Sequence, residues 1–221
     1  MSERDRTKAH HAALRSKTKA TPGGIAGLMV IGAAVVAVLG GLIWWETMGP
    51  GRPLPEPATS AIGGAFAMTD QNGRRVDQRI LSGHWSAVFF GYTYCPDVCP
   101  ATLQALDRAV EKLGSNGKDF QIVFVTVDSE RDTPSQMKAY IGAEDLKAPT
   151  FGLTGSAADV ATIAKAYKVY YAKSGTGETY TMDHSAAVYL MDPKGRFVSP
   201  LTNAMAPDQI AAEILKAEGK A

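Results

Sequence analysis

The two cysteines of the chain, Cys95 and Cys99, lie between a predicted strand and a predicted helix, and this placement constrains the fold more than any other feature. Residues 86–92 form a short apolar run typical of a buried strand, and apolar side chains recur at helical spacing over residues 100–113. Positions four apart share one face of a helix, so two thiolates there can share a soft metal ion or form a disulfide. We therefore expect a chemical site at the end of a central strand.

The rest of the domain alternates strands with helices, which is typical of an α/β fold. The further elements that the sequence predicts are a strand at 121–128, a helix that begins at Thr133-Pro134, a helix from Ser156 to about Lys168, a strand at 185–191, a turn at 192–195, a hairpin strand at 196–199 and a helix at 207–217. A cysteine pair at the end of the first central strand points to the thioredoxin superfamily. The predicted architecture is a thioredoxin-like domain with a central mixed sheet and flanking helices.

A run of 21 uncharged residues, Ile25 to Trp45, predicts one N-terminal transmembrane helix. A helix of that length spans about 31 Å, close to the hydrocarbon thickness of a bilayer. Trp44 and Trp45 end the run, where an interfacial aromatic belt is expected. The alternative is a cleaved signal peptide, but its apolar core usually has only about 7–15 residues and is followed by small residues. The longer run favours an anchor.

The flanks of this run predict how the chain is oriented and divided. Residues 1–24 hold six of the 23 basic and two of the 22 acidic residues, and the positive-inside rule keeps such a tail cytoplasmic. The remainder has 17 basic and 20 acidic residues, which gives no indication of a nucleic-acid partner. Residues 46–59 predict an extended Pro-rich linker, and residues 60–221 predict one domain. We expect a single-pass protein of a bacterial inner membrane with its C-terminal domain in the periplasm, because no transit peptide precedes the anchor.

Three uses of the cysteine pair are open. A structural disulfide is disfavoured, because a bridge over three intervening residues closes a very small loop and gains little chain entropy. A reducing couple and a soft-metal ligand set both need thiolates, and the start of a helix near Cys99 is expected to lower a thiol pKa. Thioredoxin-type reductases have two residues between their cysteines, so the three residues here suit a shared metal better, without excluding thiol exchange.

His184 is the candidate for a third ligand. It lies immediately before the predicted strand at 185–191, in a loop that faces the cysteine turn in a thioredoxin-like fold. Redox members of that superfamily normally have a cis-proline at this place. Cys95, Cys99 and His184 form a set of two sulfurs and one nitrogen that suits Cu(I) and tolerates Cu(II), and zinc could use it with a fourth ligand.

Four motifs together carry a resemblance to a known family. They are Thr93-Tyr94-Cys95-Pro96-Asp97-Val98-Cys99-Pro100, Val127-Asp128-Ser129-Glu130-Arg131-Asp132-Thr133-Pro134, Leu153-Thr154-Gly155 and Asp183-His184-Ser185. In this order they resemble the Sco/SenC copper chaperones of cytochrome c oxidase. The resemblance implies that Cys95, Cys99 and His184 bind one copper ion. It also implies that this copper serves the CuA centre of oxidase subunit II, with other periplasmic copper carriers as partners.

Alternatives to a copper chaperone remain at this point. The closest is a thiol–disulfide oxidoreductase that reduces the CuA-site cysteines, and the two roles can coexist because copper binding requires the reduced pair. The others are a peroxiredoxin-like peroxidase and a redox or copper sensor. We expect a protein that is not an enzyme in the turnover sense. Asp128 and Asp183 are secondary candidates: each either orients a ligand through a hydrogen bond or serves a turn or the start of a strand.

Overall fold

The computed structural model describes residues 32, 34–42, 44 and 62–220. The chain divides into two compact units, Met1–Pro57 and Ala58–Ala221. In the first unit, residues 32, 34–42 and 44 are helical. Within the described residues, no helix combines the length and the apolar character that crossing a bilayer requires. The predicted tail at 1–24, the linker at 46–59 and about half of the predicted anchor at 25–45 lie outside the described residues.

The second unit consists of nine strands and four α-helices within the described residues. In chain order they are β1 (Ala67–Asp70), β2 (Arg75–Asp77), β3 (Trp85–Gly91), α1 (Val98–Leu113), β4 (Phe120–Thr126), α2 (Pro134–Ala143), β5 (Thr150–Thr154), α3 (Ala157–Ala166), β6 (Tyr171–Ser174), β7 (Thr181–His184), β8 (Ala187–Met191), β9 (Phe197–Thr202) and α4 (Pro207–Ala217).

Seven of these strands form one mixed sheet, in the order β2-β1-β5-β4-β3-β8-β9. The central strands β3, β4 and β5 are parallel, and β8 pairs antiparallel with β3 through the register Phe89↔Val188. The carboxyl ends of β3 and β4 therefore meet the start of β8 at one edge of the sheet. The strands β6 and β7 form a separate antiparallel hairpin that leads directly to this edge.

The sheet is covered on both faces because apolar side chains alternate along its central strands. In β3, Ala87 and Phe89 pack under α1, α2 and α4, whereas Val88 and Phe90 pack under α3. Strand β4 repeats this alternation, and all of its residues are buried. A strand that is buried on both faces has a nearly continuous apolar sequence, which explains why the sequence predicts these two strands well.

The predicted helix starts at Thr133-Pro134 and Ser156 are confirmed. Thr133 accepts a hydrogen bond from the backbone N–H of Gln136 and caps α2, and Ser156 forms a reciprocal capping box with Asp159 at the start of α3. The prediction for the segment around His184 is wrong in detail. The strand expected from residue 185 begins at Ala187, and His184 ends β7 instead of lying in a loop.

Candidate metal site

The cysteine loop, residues 92–97, connects the end of β3 to the start of α1. The backbone N–H of Cys95 donates to the Tyr92 carbonyl at 3.2 Å, which folds the loop back on itself. Cys99 is the second residue of α1, and its backbone N–H points at the Cys95 sulfur, with 3.4 Å between N and Sγ. Both cysteines are free; Cys95 is half-buried and Cys99 is fully buried. The loop thus presents one accessible thiol with a second thiol behind it.

Gly91, the last residue of β3, makes room for the Cys99 thiol. A Cβ atom at this position would lie 2.7 Å from Cys99 Sγ and 2.7 Å from Cε2 of Phe124. Both distances are shorter than van der Waals contact, so any larger residue would displace the thiol or the ring. Our sequence reasoning did not identify Gly91, because the requirement comes from Phe124 on the neighbouring strand.

His184 approaches the cysteines from the opposite side of the sheet edge. Its Nε2 lies 3.9 Å from Cys99 Sγ, and its Nδ1 lies 3.1 Å from the carbonyl oxygen of Ser185. A carbonyl oxygen can only accept a hydrogen bond, so Nδ1 is the donor and Nε2 presents its lone pair to the thiol. The imidazole also makes a T-shaped contact with the ring of Tyr92, with 6.0 Å between centroids and 88° between planes.

The pKa of Cys99 differs from the sequence prediction. A helix N-terminus lowers a thiol pKa, but burial raises the pKa of the Cys99 thiol, and burial has the larger effect here. The expectation of a lowered pKa was therefore wrong for this residue. In the metal-free protein Cys99 is a neutral thiol, and its proton must leave when the sulfur bonds to a metal ion.

A cleft of about 430 Å³ opens between the cysteine loop and the β6–β7 hairpin. Cys95 and His184 line it, together with Tyr92, Met182 and Asn203. Fully buried Cys99 lies behind this wall. A small ligand or a partner protein can reach Cys95 and His184 from outside through this cleft.

The three predicted ligands are close together but not fully assembled. No three Cys, His, Asp or Glu side chains among the described residues are arranged to hold a metal ion as they stand. If a metal ion bonds sulfur at about 2.3 Å and imidazole nitrogen at about 2.0 Å, as zinc does, the 3.9 Å between Cys99 Sγ and His184 Nε2 corresponds to a sulfur–metal–nitrogen angle of about 130°. A three-coordinate ion accommodates such an angle. The donor atoms of these residues fit a soft metal, and a local adjustment would be needed to bring all three around one ion.

The two predicted secondary residues have different environments. Asp128 is buried and accepts hydrogen bonds from Nε of Arg131 at 2.5 Å and from the Tyr180 hydroxyl at 2.6 Å. None of its hydrogen bonds goes to a predicted ligand. Asp183 is exposed at the rim of the cleft, on the opposite side of β7 from Met182. Asp183 is the third residue of β7, opposite Ala172, so it lies within a strand and does not begin one.

Asp132 is a buried carboxyl group that our sequence reasoning did not single out. It accepts hydrogen bonds from the backbone N–H and the hydroxyl of Thr93, at 3.0 and 2.6 Å, and from the hydroxyl of Thr126 at 2.6 Å. Asp132 therefore ties the cysteine loop to the end of β4. Burial raises the pKa of its carboxyl group. In the sequence, an aspartate just before the cap Thr133 resembles an ordinary turn residue, which gave no signal of this role.

Comparison with known proteins gives consistent matches. The family model described as SCO1/SenC matches residues 55–218. Protein SCO1 homolog 1, mitochondrial, of Arabidopsis thaliana is 40% identical over 146 residues, which are 65% of this chain and 43% of that protein. The SCO2-like protein RP587 of Rickettsia prowazekii is 39% identical over 140 residues, covering 62% of this chain and 67% of that protein. The chain thus spans less than half of the Arabidopsis protein.

A solved structure gives the same result at the level of the fold. Bradyrhizobium japonicum ScoI, determined with copper bound, matches with a TM-score of 0.65 and 42% sequence identity. The match covers 71% of this chain and 99% of the ScoI chain. Together with the sheet order and the flanking helices, it establishes a thioredoxin-like α/β fold with a mixed central sheet.

Proposed function

This chain belongs to the SCO1/SenC family, and on that premise we propose that it binds copper and supplies it during the assembly of cytochrome c oxidase. The observation that carries the proposal is the approach of His184 Nε2 to within 3.9 Å of Cys99 Sγ, beside a second free thiol, Cys95. Two sulfurs and one imidazole nitrogen are soft donors, which favour copper over the hard cations that oxygen ligands select. The copper bound to the ScoI relative supports the same reading.

The proposed ligands are Cys95, Cys99 and His184, with one copper ion per domain. Both thiols lose their protons when copper binds, so uptake requires the reduced pair and depends on pH. The ion is a cargo and not a resident cofactor in this proposal. The cleft beside Cys95 and His184 supports this, because a receiving protein can reach these two ligands from outside.

The proposed recipient is the CuA centre of oxidase subunit II, and other periplasmic copper carriers are the proposed donors. Both follow from the family resemblance of the four motifs. We further propose that residues 25–45 anchor the protein in a bacterial inner membrane, with the copper domain in the periplasm. The uncharged run and the basic tail before it support the anchor and its orientation.

A thiol–disulfide oxidoreductase is the second candidate, and the unequal exposure of the two cysteines favours it. Cys95 is accessible at the cleft and is the thiol that a substrate disulfide reaches first. Cys99 lies behind it and can close the Cys95–Cys99 disulfide, which releases the reduced partner. Such a protein would reduce the CuA-site cysteines before copper arrives. This activity would be accessory to copper binding and not turnover catalysis in the usual sense.

Copper titration of the purified full-length chain tests the proposal. With both cysteines reduced, we expect one copper ion per chain and, for Cu(II), a strong thiolate-to-metal absorption band. Oxidation to the Cys95–Cys99 disulfide should abolish uptake, because the thiolates are the ligands. Cys95→Ser exchanges a soft sulfur for a hard hydroxyl and should lower the affinity by orders of magnitude. Unchanged copper stoichiometry in the disulfide form would refute the ligand assignment.

A further inference from the structure

Arg131 connects the three segments that surround the candidate metal site. It lies between β4 and α2, and its side chain is only 15% exposed although it carries a full charge. Its charge is balanced by Asp128, which is 2% exposed at the side chain and 2.5 Å from Nε. Removing such a pair from water costs free energy, unless good geometry and additional hydrogen bonds compensate for the lost hydration. The guanidinium makes further contacts of this kind with two other segments.

The first set of contacts reaches the β6–β7 hairpin, which ends in His184. Nη1 of Arg131 donates to the carbonyl of Tyr180 at 3.0 Å and to that of Glu178 at 3.4 Å. The guanidinium carbon lies 3.6 Å from the centroid of the Tyr180 ring. The Tyr180 hydroxyl donates a hydrogen bond to Asp128, the ion-pair partner of Arg131. One planar cation thereby holds the segment that enters β7 by two carbonyls and one ring.

The second set of contacts reaches the cysteine loop. The guanidinium carbon lies 4.6 Å from the ring centroid of Tyr94, the neighbour of Cys95, and 5.8 Å from that of Tyr92. Tyr92 in turn packs edge-on against the His184 imidazole. Both distances are within the range of a cation–π contact. Arg131 is thus in contact with the cysteine side and the histidine side of the cleft.

The hairpin is held by Arg131, by the hydrogen bond from the Tyr180 hydroxyl to Asp128 and by a few further contacts. A two-stranded hairpin is marginally stable alone in water, and β6 is exposed or half-buried along its length. The ion pair between Lys173 and Glu130 links it to the β4–α2 loop, but both side chains are largely exposed, and such pairs contribute little. Met182 and Tyr180 supply its buried anchors. Arg131 adds a direct contact with the rings of the cysteine loop, so we expect the orientation of the hairpin towards that loop to depend on it.

We propose that Arg131 is a positioning residue, a clasp that holds the β6–β7 hairpin against the cysteine loop so that His184 stays close to the cysteines before the metal arrives. This inference rests on the proposed copper function for its consequence, although the clasp itself is a property of the metal-free protein. A guanidinium is suited to the task because its planar fork donates in fixed directions while its faces stack on aromatic rings. A lysine ammonium keeps the charge and lacks both properties.

Arg131→Lys in the full-length chain tests the clasp. The charge beside buried Asp128 is retained, so the fold should persist. In the copper-free protein we expect the backbone amides of β6 and β7 to exchange faster with solvent, while those of β3 and β4 keep their protection. Affinity for Cu(II) should fall about 10- to 100-fold, the usual effect of losing a group that orients a metal-bound histidine. The Cu(II) thiolate-to-metal absorption band should be weaker than in the wild type at the same copper concentration, although His184 is present.

Arg196→Lys is the matched control. Arg196 also pairs with an aspartate, Asp192, in the turn of the β8–β9 hairpin, and neither residue lines the cleft. Its replacement should leave amide exchange at β6 and β7, the Cu(II) affinity and the spectrum unchanged. If Arg196→Lys lowered the affinity as much as Arg131→Lys, the effect would be one of general charge or stability, and the clasp would be rejected.

The double variant Arg131→Lys/His184→Ala tests whether Arg131 affects copper affinity through His184. A clasp acts through His184, so the double variant should bind Cu(I), the ion that His184→Ala still holds, no more weakly than His184→Ala alone. A further 10-fold or greater loss in the double variant would show that Arg131 acts elsewhere. If the wild-type chain bound no copper at all, the proposed function would fail, and amide exchange in β6 and β7 would still decide whether the clasp exists.

Discussion

Cys95 and Cys99 have unequal environments, although the sequence presents them as a pair. The four-residue spacing and the position of His184 predicted that the three side chains would come together at the carboxyl end of β3. Cys99 Sγ lies 3.9 Å from His184 Nε2, and the backbone N–H of Cys99 points at Cys95 Sγ, but no three of the described side chains are arranged to hold a metal ion as they stand. The sequence did not predict that Cys99 is fully buried or that Gly91 makes its space. Burial depends on what packs from across the sheet, in this case Phe124, and no local pattern around residues 91–99 encodes that neighbour.

Replacing His184 separates the copper carrier from the dithiol reductase. A two-thiolate site leaves Cu(II) undercoordinated and open to reduction by its own ligands, but it still holds Cu(I) in linear geometry. We expect His184→Ala to keep the fold and the Cys95–Cys99 redox couple, to lose stable Cu(II) binding, to retain weaker Cu(I) binding and to fail in CuA assembly in cells. Absorption spectra, Cu(I) competition titrations and an oxidase assembly assay measure these effects. Normal oxidase assembly with His184→Ala, together with failure of Cys95→Ser, would replace the carrier mechanism with the reductase.

Gly91→Ala tests whether stability and copper binding depend on the space that Gly91 leaves beside the Cys99 thiol. The added Cβ would approach Cys99 Sγ and the Phe124 ring to 2.7 Å, and overpacking of this kind costs about 1–3 kcal/mol of folding free energy. Because the sulfur is one of the groups that must move, copper affinity should fall as well. Urea unfolding and copper titration measure the two effects.

Gly142→Ala is the matched control for this substitution. Gly142 lies in α2, and a Cβ atom there would meet no atom within 4 Å. The change should stabilise the helix by about 0.5–1 kcal/mol and leave copper binding unaltered. Equal copper affinity in Gly91→Ala and the wild type would show that Cys99 has more freedom than the packing indicates.

Among the secondary-structure elements, the β6–β7 hairpin was not predicted from the sequence, and neither were β1, β2 and β5. Its strands contain Lys173, Ser174, Thr181 and Asp183, and a half-exposed hairpin of four-residue strands has too little apolar alternation to stand out. The buried strands β3 and β4 were predicted to within two residues because both of their faces are apolar. The consequence for function is that His184 is carried by an element whose position is fixed by long-range contacts.

Asp132 links two elements, and its titration should be visible in the pH dependence of stability. The pKa of its carboxyl group is raised in the folded state by burial, so folding favours the protonated form. The unfolded chain ionises near pH 4, and as the pH rises from there through the higher folded-state pKa, the wild-type protein progressively loses stability from this group. Below the unfolded pKa this contribution is constant.

Asp132→Asn removes the titration while keeping a polar side chain of the same size. At pH 7 the wild type bears the cost of the buried charge and the variant does not. The free energy of unfolding of the variant, relative to that of the wild type, should therefore be lower at pH 3 than at pH 7. Urea unfolding of both metal-free proteins at the two pH values measures the difference. Thr93→Val reports the loss of the hydroxyl hydrogen bond to Asp132 without removing the charge, because valine keeps the backbone N–H donor. A difference between variant and wild type that does not change with pH would contradict the raised pKa.

The order of elements along the chain was enough to predict an α/β domain with a central mixed sheet and flanking helices. The sequence could not predict β1 and β2, which are short and extend the sheet beyond β5. Strand pairing of this kind is decided by distant segments, since β1 contacts β5 across more than 80 residues of chain. The division of the chain into two units after Pro57 leads to a prediction about what each unit contributes.

A shortened chain that begins at Pro57 should be soluble and folded, and it should bind copper with the stoichiometry and affinity of the full-length protein. Every proposed ligand and the whole seven-stranded sheet lie in the second unit, Ala58–Ala221, so the metal site needs nothing from the first.

If residues 25–45 are the anchor, the exported short form should appear in the soluble periplasmic fraction and support oxidase assembly poorly. Fusing it behind an unrelated single-span segment should restore both localisation and assembly. Precipitation of the short form, or failure to bind copper, would show that the second unit does not act alone; full oxidase assembly by the soluble form would show that the site needs no membrane attachment to meet its partner.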